Sequence, residues 1–147
     1  MKHLGSKFEY ERQRDENLMR VYRVLLAGAP ADMSQSDIYQ LLVHTPCERF
    51  WVSEERAIAV ISKMETTYHA TLRHMSTQKR RMYREIYRRS SQLMEQKGMS
   101  RREAVCEVVA SPAPEFYLTP GSAEVILCRI KKKVWYLERK RKLRHLF

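Results

Sequence analysis

Two groups of lysine and arginine residues dominate the chemistry that this sequence could perform. One group lies between residues 79 and 102, and the other lies between residues 131 and 144. Each lysine or arginine that neutralises a phosphate releases condensed counterions, so several together favour binding to nucleic acid. The predicted phosphate-binding residues are Lys79, Arg80, Arg81, Arg84, Arg88, Arg101, Arg102, Lys131, Lys132, Lys133, Arg139, Lys140, Arg141, Lys142 and Arg144.

The net positive charge is confined to one half of the chain. Residues 1–66 hold nine Lys/Arg and ten Asp/Glu, a net of −1. Residues 67–147 hold nineteen and seven, a net of +12, which gives the whole chain its net charge of +11. A surface that is charged only for solubility mixes both signs, whereas a one-signed half is typical of a polyanion-binding surface. We therefore expect a nucleic-acid partner, with DNA favoured over RNA.

Two further features of the basic groups bear on this prediction. Arg101 and Arg102 occupy the first turn of a predicted helix, where the helix dipole disfavours cations, and this hints at an anion nearby. Trp135 and Tyr136 lie inside the second basic group. Both rings could stack on bases, although packing in the core or in an interface explains them equally well.

Motifs for enzymatic or metal chemistry are missing from the sequence. His44 and Cys47 have metal-like spacing, but no second such pair accompanies them, so we expect a packed turn and no zinc. There is no glycine-rich phosphate loop, no HExxH motif and no nucleophile elbow. We therefore predict a non-enzymatic protein without a metal or cofactor. The enzymatic alternative is a metal-independent ribonuclease that uses Tyr83, Tyr87 and His145.

The elements that position these residues arise from a repeated stretch. Residues 33–64 align without a gap with residues 99–130, and the matches fall on caps, turns and apolar positions. The six identical pairs among the 32 aligned positions are Met33/Met99, Ser34/Ser100, Val43/Val109, Pro46/Pro112, Phe50/Phe116 and Ala57/Ala123. Self-similarity at a fixed period indicates a repeated structural unit. We predict an all-α fold of about six helices, in two tandem pseudo-symmetric three-helix units with a long basic C-terminal helix.

Residues 1–75 are predicted to form the first unit and residues 76–147 the second. Ser34 and Ser100 each precede an acid by three residues, which predicts a capping box at the start of a short helix. Pro46 and Pro112 end these short helices, because the residue before a proline avoids helical angles. The predicted helices are 8–27, 35–44, one from 54 that breaks near 75–77, 78–97, 101–110 and one from 120 onward.

A nine-residue connector, 45–53 or 111–119, follows the short helix of each unit and carries an aromatic triplet. The triplets could form an exposed contact site, but large apolar rings are more often buried, so we predict core anchors. Ser53 and Thr119 are predicted to cap the next helices. The predicted inward stripes of those helices are Ala57, Ile61, Met64 and Tyr68, and Ala123, Leu127, Ile130 and Val134.

The order of short helix, connector and long helix is similar to that of helix-turn-helix modules. The usual turn there has about three or four residues, however, and the connectors here have nine. The long helices begin with Glu54-Glu55 and Pro120-Gly121-Ser122, which are poor readers of base edges. Binding dominated by phosphate contacts is therefore predicted in place of sequence-specific groove reading.

A second function stays open because the C-terminal helix is also amphipathic. Its apolar stripe from Leu127 to Leu137 could seat an acidic protein partner in an adaptor or assembly protein. The near-neutral first unit is expected to serve as a scaffold, as a protein contact or in self-association. A membrane-surface role ranks third, because Leu146 and Phe147 are the only strongly apolar residues at the end.

Location is predicted from three general features. No apolar run approaches the roughly 18 residues of a membrane span, and no signal-peptide pattern opens the chain. The three cysteines, Cys47, Cys106 and Cys128, are odd in number and without a disulfide spacing. Such cysteines are typical of a reducing compartment, so we expect a cytoplasmic protein that does not enter a membrane.

Overall fold

The described residues form six α-helices. The computed structural model describes residues 2–146, and it describes side chains for residues 10–144. The helices are α1 (Lys2–Gly28), α2 (Gln35–Val43), α3 (Glu54–Thr66), α4 (Thr77–Lys97), α5 (Arg101–Val109) and α6 (Pro120–Leu146). No β-strand occurs within residues 2–146, so the all-α prediction with six helices is confirmed. None of these six helices combines the length and the apolar character that a membrane span requires.

Serine and threonine hydroxyls cap the N-termini of the helices at the predicted positions. Ser34 Oγ accepts a hydrogen bond from Asp37 N at 3.1 Å, and Ser100 Oγ accepts one from Glu103 N at 3.2 Å. In the first unit, Ser34 N also donates to Asp37 Oδ2 at 3.4 Å, which completes the capping box. The remaining hydroxyl caps are Ser53, Ser76 and Thr119.

Two predicted helix boundaries are wrong. The first helix begins at Lys2, six residues before the predicted start, and α3 ends at Thr66, well before the predicted break near residue 75. Thr67 Oγ1 donates to Lys63 O at 2.6 Å, and this side chain competes with the backbone for the last carbonyls of the helix. Tyr68 and His69 then take positive φ angles of 50° and 68°, which reverse the chain.

The early end of α3 also overturns the prediction that Tyr68 lies inward. This ring is 93% exposed, because the reversal turns it away from the stripe formed by Ala57, Ile61 and Met64. The other three residues of the stripe are fully buried, as predicted. A short 3₁₀ turn at Ala70–Leu72 leads from this reversal to α4.

The aromatic connectors anchor the core, as the sequence predicts. Phe50 and Phe116 are almost completely buried, and the neighbouring residues Trp51 and Val52 are buried as well. Tyr117 stacks on Phe50 with ring centroids 5.9 Å apart. The two connectors therefore meet each other inside one continuous core.

Backbone hydrogen bonds join the two connectors in a reciprocal pattern. Cys47 and Ala113 exchange both N–H···O bonds at 3.0 Å. Phe50 N donates to Val109 O, and Phe116 N donates to Val43 O, each at 3.1 Å. Every donor and acceptor in this set has its counterpart 66 residues away.

Contacts between helices also join the two predicted units. The short helix α2 packs against α6, and the short helix α5 packs against α3. Each unit thus places its short helix against the long third helix of the other unit. The duplication and the division of the chain at residues 75/76 stay predictions.

Candidate nucleic-acid interface

The predicted cations of the second unit lie on three helices. Lys79, Arg80, Arg81, Arg84 and Arg88 occupy α4, whereas Arg101 and Arg102 begin α5. The remaining eight, from Lys131 to Arg144, lie on α6. Because α4 packs on α3 and α5 while α6 packs on α1 and α2, the basic residues of α4 and α6 have different structural neighbours.

Two of the predicted phosphate-binding arginines of α4 are paired with carboxylates of the protein. Arg81 Nη2 lies 2.6 Å from Glu115 Oε1, and Glu115 is a buried residue of the second connector. Arg88 donates from both Nε and Nη2 to Glu85 at 2.8 Å. The hydrogen bond from Arg88 lowers the pKa of Glu85. Sequence reasoning missed both pairs, and they leave these arginines less available to a ligand.

Arg101 is a structural residue, and its surroundings explain the cation in the first turn of α5. Its Nε donates to Glu65 at 2.8 Å, and its Nη1 donates to Ser90 and Ser91. Its guanidinium also lies 4.8 Å from the ring centroid of Tyr87. The anion that the sequence hinted at is therefore a carboxylate of the protein itself. The neighbouring Arg102 is exposed.

The C-terminal part of α6 is exposed along its whole described length. We call residues 131–144 the α6 extension, and every residue in it is exposed. At the 66-residue offset, the end of α3 at Thr66 corresponds to residue 132, so α6 continues past the point where its counterpart stops. The extension carries eight Lys/Arg and a single acid, Glu138.

Among the described side chains, no carboxylate neutralises the cations of the α6 extension. Lys131 donates to the hydroxyl of Tyr22 at 3.3 Å and lies over the Tyr22 ring. Arg139 lies 5.3 Å from the ring centroid of Trp135. Among the described side chains, Lys131 and Arg139 thus contact aromatic rings, and the other six predicted cations of the extension have no carboxylate partner.

The apolar stripe of α6 is buried or half-buried before the α6 extension and exposed within it. Leu127 is fully buried and Ile130 is half-buried, so both contribute to the core of the protein. Val134 and Leu137 are 48% and 56% exposed, although Val134 was predicted to lie inward. That prediction is wrong because Val134 faces an open cleft between α1 and α6 and is not packed in the core.

An open cleft of about 1180 Å³ lies between α1 and α6. Ile130, Val134 and Leu137 line its α6 wall, and Met19 and Val24 contribute apolar surface from α1. The rim carries both signs of charge: the acids are Glu11, Asp15 and Glu16, and the cations are Arg12, Arg20, Arg23, Arg129 and Lys133. A cleft with mixed charge suits a protein segment better than a phosphate chain.

His44 and Cys47, the pair with metal-like spacing, are engaged by the second connector. His44 Nδ1 lies 3.1 Å from Glu115 Oε2, on the same carboxylate that binds Arg81. The Cys47 thiol donates to the carbonyl oxygens of Arg49 and Glu115, each at 3.2 Å. The described residues contain no group of three or more His, Cys, Asp and Glu that could hold a metal ion.

The buried thiol of Cys47 predicts a loss of stability in alkali. Burial raises the pKa of Cys47 to about 11 from its ordinary value of 9.0. The unfolded thiol therefore ionises first, and its contribution to stability is complete below pH 9 and is lost as the pH rises to about 11. Two pKa units correspond to about 2–3 kcal/mol.

We expect chemical unfolding to show this decrease in the original protein and a shallower decrease between pH 9 and 11 in a Cys47→Ala variant. Tyrosines that titrate in the same range are present in both proteins, so the difference isolates the thiol. Equal pH slopes would contradict the assignment.

Two of the three residues of the ribonuclease alternative, Tyr83 and Tyr87, are used in packing. Tyr83 is buried, and burial raises the pKa of its hydroxyl, which keeps it protonated and makes it a weaker proton donor at neutral pH. The Tyr87 ring contacts His69 edge-on and lies under Arg101. His145, together with Leu146 and Phe147 of the membrane alternative, lies outside the residues whose side chains the structure describes.

No protein-family model, curated protein or solved structure matches this chain.

Proposed function

We propose that this protein binds nucleic acid without catalysing a reaction on it, through phosphate contacts made by the α6 extension. The observation that carries the proposal is the exposure of this segment, whose cations form no ion pair among the described side chains. Its fourteen residues extend for about 20 Å at 1.5 Å per residue. Eight cations and one acid along that length form a rod to which a phosphate chain is attracted.

The exposed cations of α4 and α5 are secondary members of the proposed interface. Lys79, Arg84 and Arg102 are exposed, whereas Arg81 and Arg101 are held by carboxylates. A cation that already bonds a carboxylate releases fewer counterions when it meets a phosphate. The proposal therefore places most of the affinity on α6, with DNA favoured over RNA as the ligand.

The salt dependence of binding tests this proposal. We expect the logarithm of the association constant for a duplex DNA oligonucleotide to fall linearly with the logarithm of salt concentration. The slope is expected to be about −5 if about six phosphates are contacted. Fluorescence anisotropy of a labelled oligonucleotide at several salt concentrations measures it. A flat salt response would contradict phosphate-dominated binding, and so would an absence of binding at low salt.

A second candidate function follows from the exposed part of the apolar stripe of α6. Val134 and Leu137 remain half-exposed beside the α1–α6 cleft, and such residues could seat an amphipathic segment of an acidic protein partner. Polyglutamate serves as a probe for an acidic partner, because it is negatively charged like DNA but has neither phosphates nor bases. Binding of polyglutamate as tight as binding of DNA at the same ionic strength would favour this second function.

A further inference from the structure

Two neighbouring aromatic residues are exposed in the middle of the α6 extension. Trp135 is 58% exposed and Tyr136 is 63% exposed. The other tryptophan of the chain, Trp51, is only 9% exposed. Large exposed rings that lie side by side are unusual on a protein surface and indicate a contact site.

The two rings lie opposite the apolar stripe of the same helix. At 100° per residue, the mean direction of Trp135 and Tyr136 is on the far side of the helix from Val134 and Leu137. The stripe of Val134 and Leu137 lines the α1–α6 cleft, so the aromatic pair lies on the side away from it. The rings therefore do not continue the core, and a partner seated in the cleft would not cover them.

Cations share this outer side of the helix with the rings. Helical spacing places Lys132, Arg139 and Lys140 within about one turn of the aromatic pair. The Arg139 guanidinium lies 5.3 Å from the Trp135 ring centroid, and one guanidinium can occupy only one face of a ring. The outer side thus combines open aromatic faces with positive charges, and none of these cations has a carboxylate partner within the described side chains.

We infer that the α6 extension binds single-stranded nucleic acid, with Trp135 and Tyr136 stacking on unpaired bases while the surrounding cations hold the phosphates. This inference rests on the proposed function and names its ligand class. In a duplex the base faces are already stacked on each other, and separating them costs free energy. A single strand offers its base faces without that cost, and stacking accepts any base.

Tryptophan emission and variants of Trp135 test the inference in the full chain. The probes are an oligothymidylate of about twelve nucleotides and a duplex of the same length, both end-labelled for anisotropy. We expect the single strand to bind tighter than the duplex at equal salt and to quench the emission of Trp135. Replacing Trp135→Ala should weaken binding of the single strand about tenfold and leave duplex binding nearly unchanged.

Trp135→Phe is the matched control, because phenylalanine keeps a stacking ring and the same charge. It should retain most of the affinity while the quenching disappears, since the buried Trp51 then supplies the only tryptophan emission. Both variants should keep the circular dichroism spectrum and melting temperature of the original protein, because Trp135 is exposed.

The outcomes separate this inference from the function on which it rests. Tighter binding of the duplex, together with no effect of Trp135→Ala on either probe, would overturn the inference and leave phosphate-dominated binding in place. Binding of neither probe at low salt would overturn the proposed function itself.

Discussion

Deleting residues 139–147 is expected to reduce the affinity for nucleic acid about 100-fold or more at roughly 0.1 M salt. The deletion removes five exposed cations from the α6 extension. Because each phosphate contact contributes about 0.9 to the salt slope, the slope should fall from about −5 to about −1. The melting temperature should change little, since residues 139–144 are exposed and their cations have no carboxylate partner within the described side chains. Anisotropy titrations and thermal unfolding measure the two quantities.

A pair of charge-matched variants separates the position of the charges from their number. The first replaces Lys140, Arg141 and Arg144 with glutamine, a good helix former, so the helix keeps its length. The second replaces three exposed cations elsewhere, at Arg23, Lys63 and Arg73. Both lose three positive charges, but only the first is expected to lower the salt slope, by about 2 to 3. Equal losses in both variants would mean that net charge alone drives binding. For the deletion of residues 139–147, a large drop in melting temperature would mean that the tail is part of the core.

Substitution of either connector phenylalanine by alanine is expected to destabilise the whole chain by about 3–5 kcal/mol. Phe50 and Phe116 are almost completely buried, and the removed ring leaves a cavity. The backbone of each also bonds to the short helix of the other unit. Both units should therefore unfold together, in one cooperative transition, whichever phenylalanine is replaced. Urea unfolding followed by circular dichroism and by the emission of the buried Trp51 measures the loss.

Val24→Ala serves as the control, because Val24 is 68% exposed and its truncation should change stability by less than about 0.5 kcal/mol. If an alanine variant does not fold, Phe50→Leu and Phe116→Leu provide smaller losses for the same comparison. Two separate transitions, or a loss confined to one unit, would contradict the interlocked packing and favour independent halves.

Local signals account for the part of the fold that could be predicted. Ser34, Ser100 and Thr119 begin helices because a hydroxyl satisfies the free amides of the first turn, which depends only on residues three positions away. Burial of Phe50 and Phe116 was likewise predictable, because large apolar rings next to helix ends are rarely left in water. In these cases the cause and its consequence lie within a few residues of each other.

Long-range partners account for what the sequence could not reveal. Arg101 meets Glu65 from 36 residues away, and Arg81 meets Glu115 from 34 residues away. In the sequence alone, nothing distinguishes these arginines from Arg84 or Arg102, which are exposed in the structure. The exposure of Val134 was missed for the same reason, since helical spacing alone does not tell where a neighbouring helix stops covering the stripe.

The reciprocal bonds between Cys47 and Ala113 have a consequence for the origin of this chain. If both units descend from one ancestor, a single copy would leave the backbone groups of its connector unpaired unless a second molecule supplied them. The same contacts could form between two identical polypeptides related by a twofold axis through that bridge. A homodimer that later became fused into one gene product could then change one half without altering the other, and on that history the excess of cations in residues 67–147 would be such a divergence.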